Sequence, residues 1–224
     1  MNIDFSILKD YLPLFKSGFI TTLQFTGLSL VVGFVLGFVL SLIKVSKSKV
    51  MLPLRAFAAF YTSVFRGTPQ LVQLFLVYYA TPQLFDYKIS PLAAAVLCFG
   101  LNSAAYISET LKGGILGIDK GQVEAANALG ITYVRTMVFI IFPQVLKITL
   151  PSLVNEVITL LKGSSLVSVI ACMDLMRAAT KTVAATFHSF EPYIFVALIY
   201  YVIVLVLSWI SRYLERWVSV SDSN

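Results

Sequence analysis

Glu156 and Asn155 stand side by side inside an apolar run, Ile148–Met173, that is long enough to cross a membrane. A carboxylate in that setting can accept a bidentate pair from a guanidinium or hold an ammonium as a point charge. The amide beside it can hydrogen-bond the polar groups of the same solute. Ser152, Thr159 and Gly163 recur with them at three- and four-residue spacing, which on a helix makes one face. Such a face is unstable against lipid, so it must look into a bundle, a water-filled path or a partner. Glu156 and Lys162 each cost about 3 kcal/mol near a bilayer centre on insertion scales, and charges retained at that depth mark solute or ion pathways. The competing reading of Glu156 is structural, an ion pair with Lys162 or a hydrogen bond to backbone. Gln73, Asn102 and Ser103 are further polar residues in apolar runs and candidates for the same path. An interhelical hydrogen bond, worth under about 2 kcal/mol, also accounts for each of them separately.

The elements that position these residues follow from composition. The chain has 224 residues, of which 58% are hydrophobic and 12% charged, and a mean hydropathy of +0.86, too apolar for a soluble domain. Four runs free of Asp, Glu, Lys and Arg have spanning or near-spanning length: Ser17–Ile43, Gly67–Phe85, Ile89–Ser108 and Pro192–Ser211. With Ile148–Met173 they predict five crossings, at about 17–43, 67–85, 89–111, 146–173 and 192–212, in a single domain, 1–224. Residues 1–18 contain acidic groups and no compact apolar segment with a cleavage site, so no removable signal peptide is expected. Val50–Phe65, carrying Arg55, is expected to be an interfacial helix that turns at Gly67-Thr68-Pro69. Gly33 and Gly37 have the spacing of a close helix contact, within the chain or between two copies.

Orientation follows from lysine and arginine. With the loop after the first span, the segment around 112–145 and the C-terminus on one side, that side holds eleven of these residues and the other five. The basic side is cytoplasmic, which places the N-terminus outside. Several residues suggest only local roles. Glu109 and Lys112 form a local pair, Cys98 and Cys172 are packing residues, and His188 has no metal or catalytic partners nearby in sequence.

The segment Gln122–Pro143 differs from the spans in its polarity. Asp119 is expected to N-cap a short helix with Gln122 as its capping-box partner, and Gly130 to end that helix in the left-handed conformation. Thr132 restarts a helix that is expected to stop before Pro143. Ala125, Ala126 and Ala128 leave a low profile that another protein surface could approach, with Glu124 as an acidic handle. An amphipathic loop lying on the membrane surface would have the same pattern.

The spacing of Glu124-Ala125-Ala126, Gly130, Ile140, Phe142 and Pro143 resembles the cytoplasmic coupling loop, or EAA loop, of ATP-binding-cassette importer permeases. Phe142 stands where that family usually has Leu. Phe65-Arg66-Gly67-Thr68-Pro69, Leu71–Phe75, Ala105-Tyr106, Glu109, Gly113-Gly114, Ser165–Ile170 and Leu214-Glu215-Arg216 are similar to the branch importing polar amino acids, the histidine, arginine and glutamine permeases. Gly163 departs from the Asp that this branch often carries after Leu-Leu-Lys.

The resemblance implies an all-α membrane protein with five transmembrane helices of the type I ABC importer permease fold and a cytoplasmic helix-turn-helix coupling loop at about 112–145. It implies the transmembrane subunit of an ATP-driven importer in the bacterial cell (inner) membrane, coupled through Glu124, Ala125, Ala126 and Gly130 to a dimer of ATPase subunits that bind ATP and magnesium. The other implied partners are a second permease subunit, identical or homologous, and an extracytoplasmic solute-binding protein docking on Met173–Glu191, Asp86 and Lys88. The charge of Glu156 points to basic amino acids, arginine, lysine or histidine, as substrate, with Asn155, Thr159, Gln73, Asn102 and Ser103 lining the path. A neutral polar amino acid such as glutamine or cystine is the alternative.

The residues set limits of their own. No Gly-x4-Gly-Lys-Ser/Thr phosphate loop and no nucleophile–base or metal constellation occurs, so the chain is read as a transporter subunit without its own cofactor, and not as an enzyme. Its positive charge is explained by topology, without nucleic acid as a partner. An ion-coupled secondary carrier would explain Glu156 but leave the elbow without a use, and no paired inverted repeat is visible. A membrane anchor for a signalling complex would leave the polar face of the fourth span unused.

Overall fold

The computed structural model describes residues 3–221, and these are predominantly helical, with no strand among them. The principal helices are α1 (Leu8–Val45), α2 (Leu52–Gly67), α3 (Gln70–Phe75), α4 (Thr81–Phe85), α5 (Pro91–Gly117), α6 (Lys120–Ala128), α7 (Tyr133–Arg135), α8 (Phe142–Gly163), α9 (Leu175–Thr186) and α10 (Phe190–Ser221). Four helical stretches among the described residues are long and apolar enough to cross a membrane unaided: Phe5–Val45, Pro91–Gly117, Tyr133–Ile170 and Phe190–Arg216. The expected crossing at 67–85 is built differently, from α3, a π-helical turn at Leu76–Ala80, and α4.

α2 runs into that composite segment through the turn at Gly67-Thr68-Pro69 and packs along α5. Arg55 Nη1 donates to the Ser46 carbonyl at the end of α1, 3.0 Å, while the Tyr61 hydroxyl donates to the Leu101 carbonyl midway along α5, 2.6 Å. The polar side of α2 therefore climbs along α5, because that is where its donors find acceptors. Its apolar residues Leu54, Phe57 and Phe60 stay exposed on the outer side.

Proline is accommodated in the same way twice. Pro82 and Pro143 each stand two residues past the end of a π-helical turn, Leu76–Ala80 and Thr136–Ile141. A proline in a helix removes one N–H and presses on the carbonyl four residues back, and a wider turn at that place relieves both. The helix that was expected to stop before Pro143 therefore continues through it, from Tyr133 into α8.

α1 and α5 form the closest pair. A Cβ placed on Gly33 would come within 2.8 Å of Ser103, one on Gly37 within 2.9 Å of Ile107, and one on Gly100 within 2.7 Å of Val32. The Gly33–Gly37 spacing thus serves packing within the chain. Beside it Phe25 and Phe99 meet edge to face, ring centroids 4.9 Å apart, in a cluster with Leu74, Leu160 and Val167.

The connection between the last two crossings is ordered structure packed onto α1. A 3-10 stretch, Ser164–Ile170, ends at Ala171 in the left-handed region, and the fully buried Asp174 caps α9 by accepting from the Met176 and Arg177 amides. Thr22 of α1 accepts from the Leu175 amide at 3.2 Å, and Leu175, Ala178 and Ala179 are buried with Phe15 and Val196. At the same end, Glu191 receives the Asp4 amide at 2.9 Å and lies 3.4 Å from His188 Nδ1.

Candidate functional site

The polar face of α8 is divided by its packing. Ser152, Asn155 and Thr159 are exposed, whereas Glu156 is half-buried beside Ser103 of α5. Ser103 Oγ is itself buried, and the Glu156 carboxyl is the polar group it adjoins. Thr159 returns its hydroxyl to the Asn155 carbonyl, 2.9 Å. No ion pair joins Glu156 to Lys162 or to any other cation among the described residues. Six residues apart on a helix, the two point about 120° away from each other. Lys162 is exposed, and Gly163 lies against Phe99, where a Cβ would come within 2.7 Å of the ring.

Gln73 and Asn102 are held in a node of their own. Gln73 Nε2 donates to the Phe65 carbonyl, 2.9 Å, and to the Thr68 carbonyl and hydroxyl, 3.1 and 2.8 Å. Asn102 Nδ2 donates to the same Phe65 carbonyl, 2.9 Å, and to Gln73 Oε1, 3.0 Å. The Thr68-Pro69 break frees carbonyls at the end of α2, and buried carbonyls need partners. Both amides are occupied in supplying them, which fastens the composite crossing to α5. Of the six residues expected to line a path, these two face each other and the helix break, while Asn155 and Thr159 are presented outward.

The elbow has the geometry of a surface for another protein. Asp119 caps α6 by accepting from the Gly121 amide, 2.7 Å. Gln122 does not reach back to complete a capping box; its amide is paired with that of Gln144 at the start of α8. Gly130 adopts φ +72°, the Ile131 amide donates to the Ala126 carbonyl at 3.0 Å and the Gly130 amide to that of Asn127 at 3.0 Å. This is the Schellman arrangement, and only glycine takes its left-handed position without steric cost. Glu124, Ala125, Ala128 and Gly130 are exposed, but Ala126 is turned inward at 3% exposure, so the low-profile face is narrower than the three alanines suggest. Leu129 beside it is 79% exposed, an apolar contribution that the motif does not announce. Exposed apolar residues grouped around polar ones mark interaction surfaces.

Sequence reasoning also missed Lys44. Glu109 does bond Lys112, Oε2 to Nζ 3.3 Å, but its shorter contact, Oε1 to Nζ 2.7 Å, is with Lys44 of α1, whose side chain is 5% exposed. Sixty-five residues separate the two in the chain, and no local pattern signals the pair.

Residues 29–220 match the family of binding-protein-dependent transport system inner membrane components. The arginine transport system permease protein ArtQ of Bacillus subtilis is 46% identical over 222 residues, covering 99% of this chain and 100% of the relative. A putative glutamine transport system permease protein GlnP of Rickettsia typhi is 44% identical over 199 residues, covering 89% and 90%. The fold superposes on the crystal structure of an amino acid ABC transporter with histidines at a TM-score of 0.87 and 42% identity, over 96% of this chain and 99% of that one. The five-crossing all-α architecture and its elbow thus have a direct structural counterpart, and the chain belongs to the binding-protein-dependent transport permeases as the membrane subunit of an amino acid ABC importer, itself not an enzyme.

Proposed function

We propose that this chain, paired with a second permease subunit, forms the membrane path of an importer of basic amino acids. The observation that carries the reading is Glu156, a half-buried carboxyl group with no cationic partner among the described residues, at the edge of the exposed face Ser152–Asn155–Thr159. A polar face of this kind is not left to lipid, so a second subunit completes it around a wet path. A guanidinium or ammonium passing there meets the carboxylate, with Asn155 and Thr159 available to its polar groups. The names of two similar proteins, one an arginine permease and one an amino acid transporter crystallised with histidines, agree with a cationic solute.

In the same reading the N-terminus lies outside and the C-terminus inside, and the elbow rests on an ATPase subunit that binds ATP and magnesium. Glu124, Ala125 and the exposed Leu129 make the contact. ATP then drives the cycle only by favouring one conformation of the assembly over the other. A solute-binding protein delivers substrate at the outer end formed by α9, Asp86 and Lys88.

Uptake of labelled arginine, glutamine and histidine into proteoliposomes holding this chain with its ATPase and binding protein, with and without ATP, tests the reading. ATP-dependent arginine uptake exceeding that of glutamine is the expected result. Glutamine uptake exceeding arginine would assign the neutral solute of the GlnP relative, and uptake without ATP would overturn the importer.

A further inference from the structure

At the end where α1 and α5 finish, a cavity of about 430 Å³ is lined by four cations, Lys44, Arg55, Arg66 and Lys112, and by one carboxylate, Glu109. Glu109 is fully committed, one oxygen to Lys44 and the other to Lys112. The two arginines therefore have no carboxylate at ion-pair distance among the described residues. Arg66 lies over the Tyr106 ring, 5.2 Å from its centroid, which attracts the cation without cancelling its charge. Arg55 gives one guanidinium N–H to the Ser46 carbonyl, and its Nε is buried with no hydrogen-bond partner. A buried donor next to three further cations is unfavourable unless an acceptor of opposite charge completes the group.

From this cavity we infer a binding site for a phosphate-bearing anion, held by Arg55, Arg66 and Lys112 while Lys44 and Glu109 fix the floor. A tetrahedral oxyanion presents several acceptors at once and matches guanidinium forks. The headgroup of an anionic phospholipid and a soluble phosphate present this same oxyanion. In the orientation proposed above the cavity lies at the cytoplasmic leaflet, where basic residues gather toward anionic headgroups. The site is separate from the polar face of α8 and does not depend on which amino acid is carried.

The test uses the whole transporter, permease with ATPase subunits, exchanged into nanodiscs of phosphatidylcholine with or without phosphatidylglycerol. Native mass spectrometry then counts the lipids that survive stripping. Wild type is expected to retain phosphatidylglycerol in preference to phosphatidylcholine, and Arg55→Gln combined with Arg66→Gln to retain about ten-fold less. Equal retention of the two lipids by wild type excludes the lipid headgroup and, with no stabilisation by phosphate in the second arm, overturns the inference, as does undiminished retention by a variant that elutes as an intact complex. A parallel arm in phosphatidylcholine alone measures thermal stability with inorganic phosphate against chloride. Stabilisation by phosphate there, lost in the variant, supports the phosphate site and assigns it to a soluble anion.

Discussion

The side-chain amides of Gln122 and Gln144 exchange two hydrogen bonds, 3.1 Å from Gln122 Nε2 and 2.7 Å in return, and Gln144 Nε2 also donates to the Ile140 carbonyl at 2.8 Å. This ties α6 to the π-helical turn at the base of α8, so displacement of the elbow is passed to the helix that carries Glu156. With about 1 kcal/mol per hydrogen bond, Gln144→Leu is expected to leave insertion intact and to reduce substrate-stimulated ATP hydrolysis several-fold, with basal hydrolysis little changed. Stimulation equal to wild type in reconstituted complexes would show that the amide pair transmits nothing.

Glu124 is exposed on α6, where a charge reversal disturbs no packing. Glu124→Lys is therefore expected to keep the permease folded and inserted while abolishing stimulation of the ATPase. Normal transport by this variant would remove the elbow from the coupling mechanism.

If Glu156 is the counter-charge, Glu156→Gln keeps its size and loses its charge. Arginine uptake is expected to fall by about ten-fold or more, corresponding to about 1.4 kcal/mol, while glutamine uptake changes little. Equal loss for both solutes would make the residue a structural one.

Gly163 touches the Phe99 ring, so Gly163→Asp, which restores the residue common in the resembled branch, drives an atom to within 2.7 Å of it. Overpacking of this kind costs about 1–3 kcal/mol. The melting temperature of the detergent-solubilised protein is expected to drop, and Phe99→Leu in the same chain to recover most of the loss. Failure of the second substitution to compensate would mean that the ring is not the obstacle.

The Ser6 hydroxyl and amide hold the Asp4 carboxyl below its ordinary value of 3.8. The carboxylate is the capping form, so the cap contributes fully above that value and is lost as pH falls through the lower folded value. Hydrogen exchange at the Ser6 amide, corrected for intrinsic rates, is expected to lose protection on acidification through that window, and Asp4→Ala to be unprotected at every pH. A protection factor independent of pH would show that the carboxylate is not the cap.

The elbow was legible because its signals are local. Gly130 is the residue type that takes a positive φ freely, and Asp119 caps the helix that follows it. Pro143 is not decided by sequence, because the same steric property permits two outcomes, a helix end or a wider turn, and packing chooses between them. Local spacing pairs Gln122 with Asp119, three residues away, whereas its partner Gln144 lies twenty-two residues on. The Tyr61 acceptor and the Asn102 amide that meets Phe65 belong to α5, which no local pattern of α2 announces.

Sequence by itself determined the membrane class, the order of the crossings, the elbow and the polar face of α8, since hydropathy, charge asymmetry and helical spacing are properties of short stretches. Only tertiary structure decided which polar groups are used up and which are left over. Gln73 and Asn102 close a helix break, Lys44 takes the near oxygen of Glu109, Glu156 is left without a cation among the described residues, and Arg55 Nε without a partner. The physical reason is that hydrogen bonds and ion pairs act over a few ångströms in space between residues far apart in the chain, and no local pattern encodes that distance.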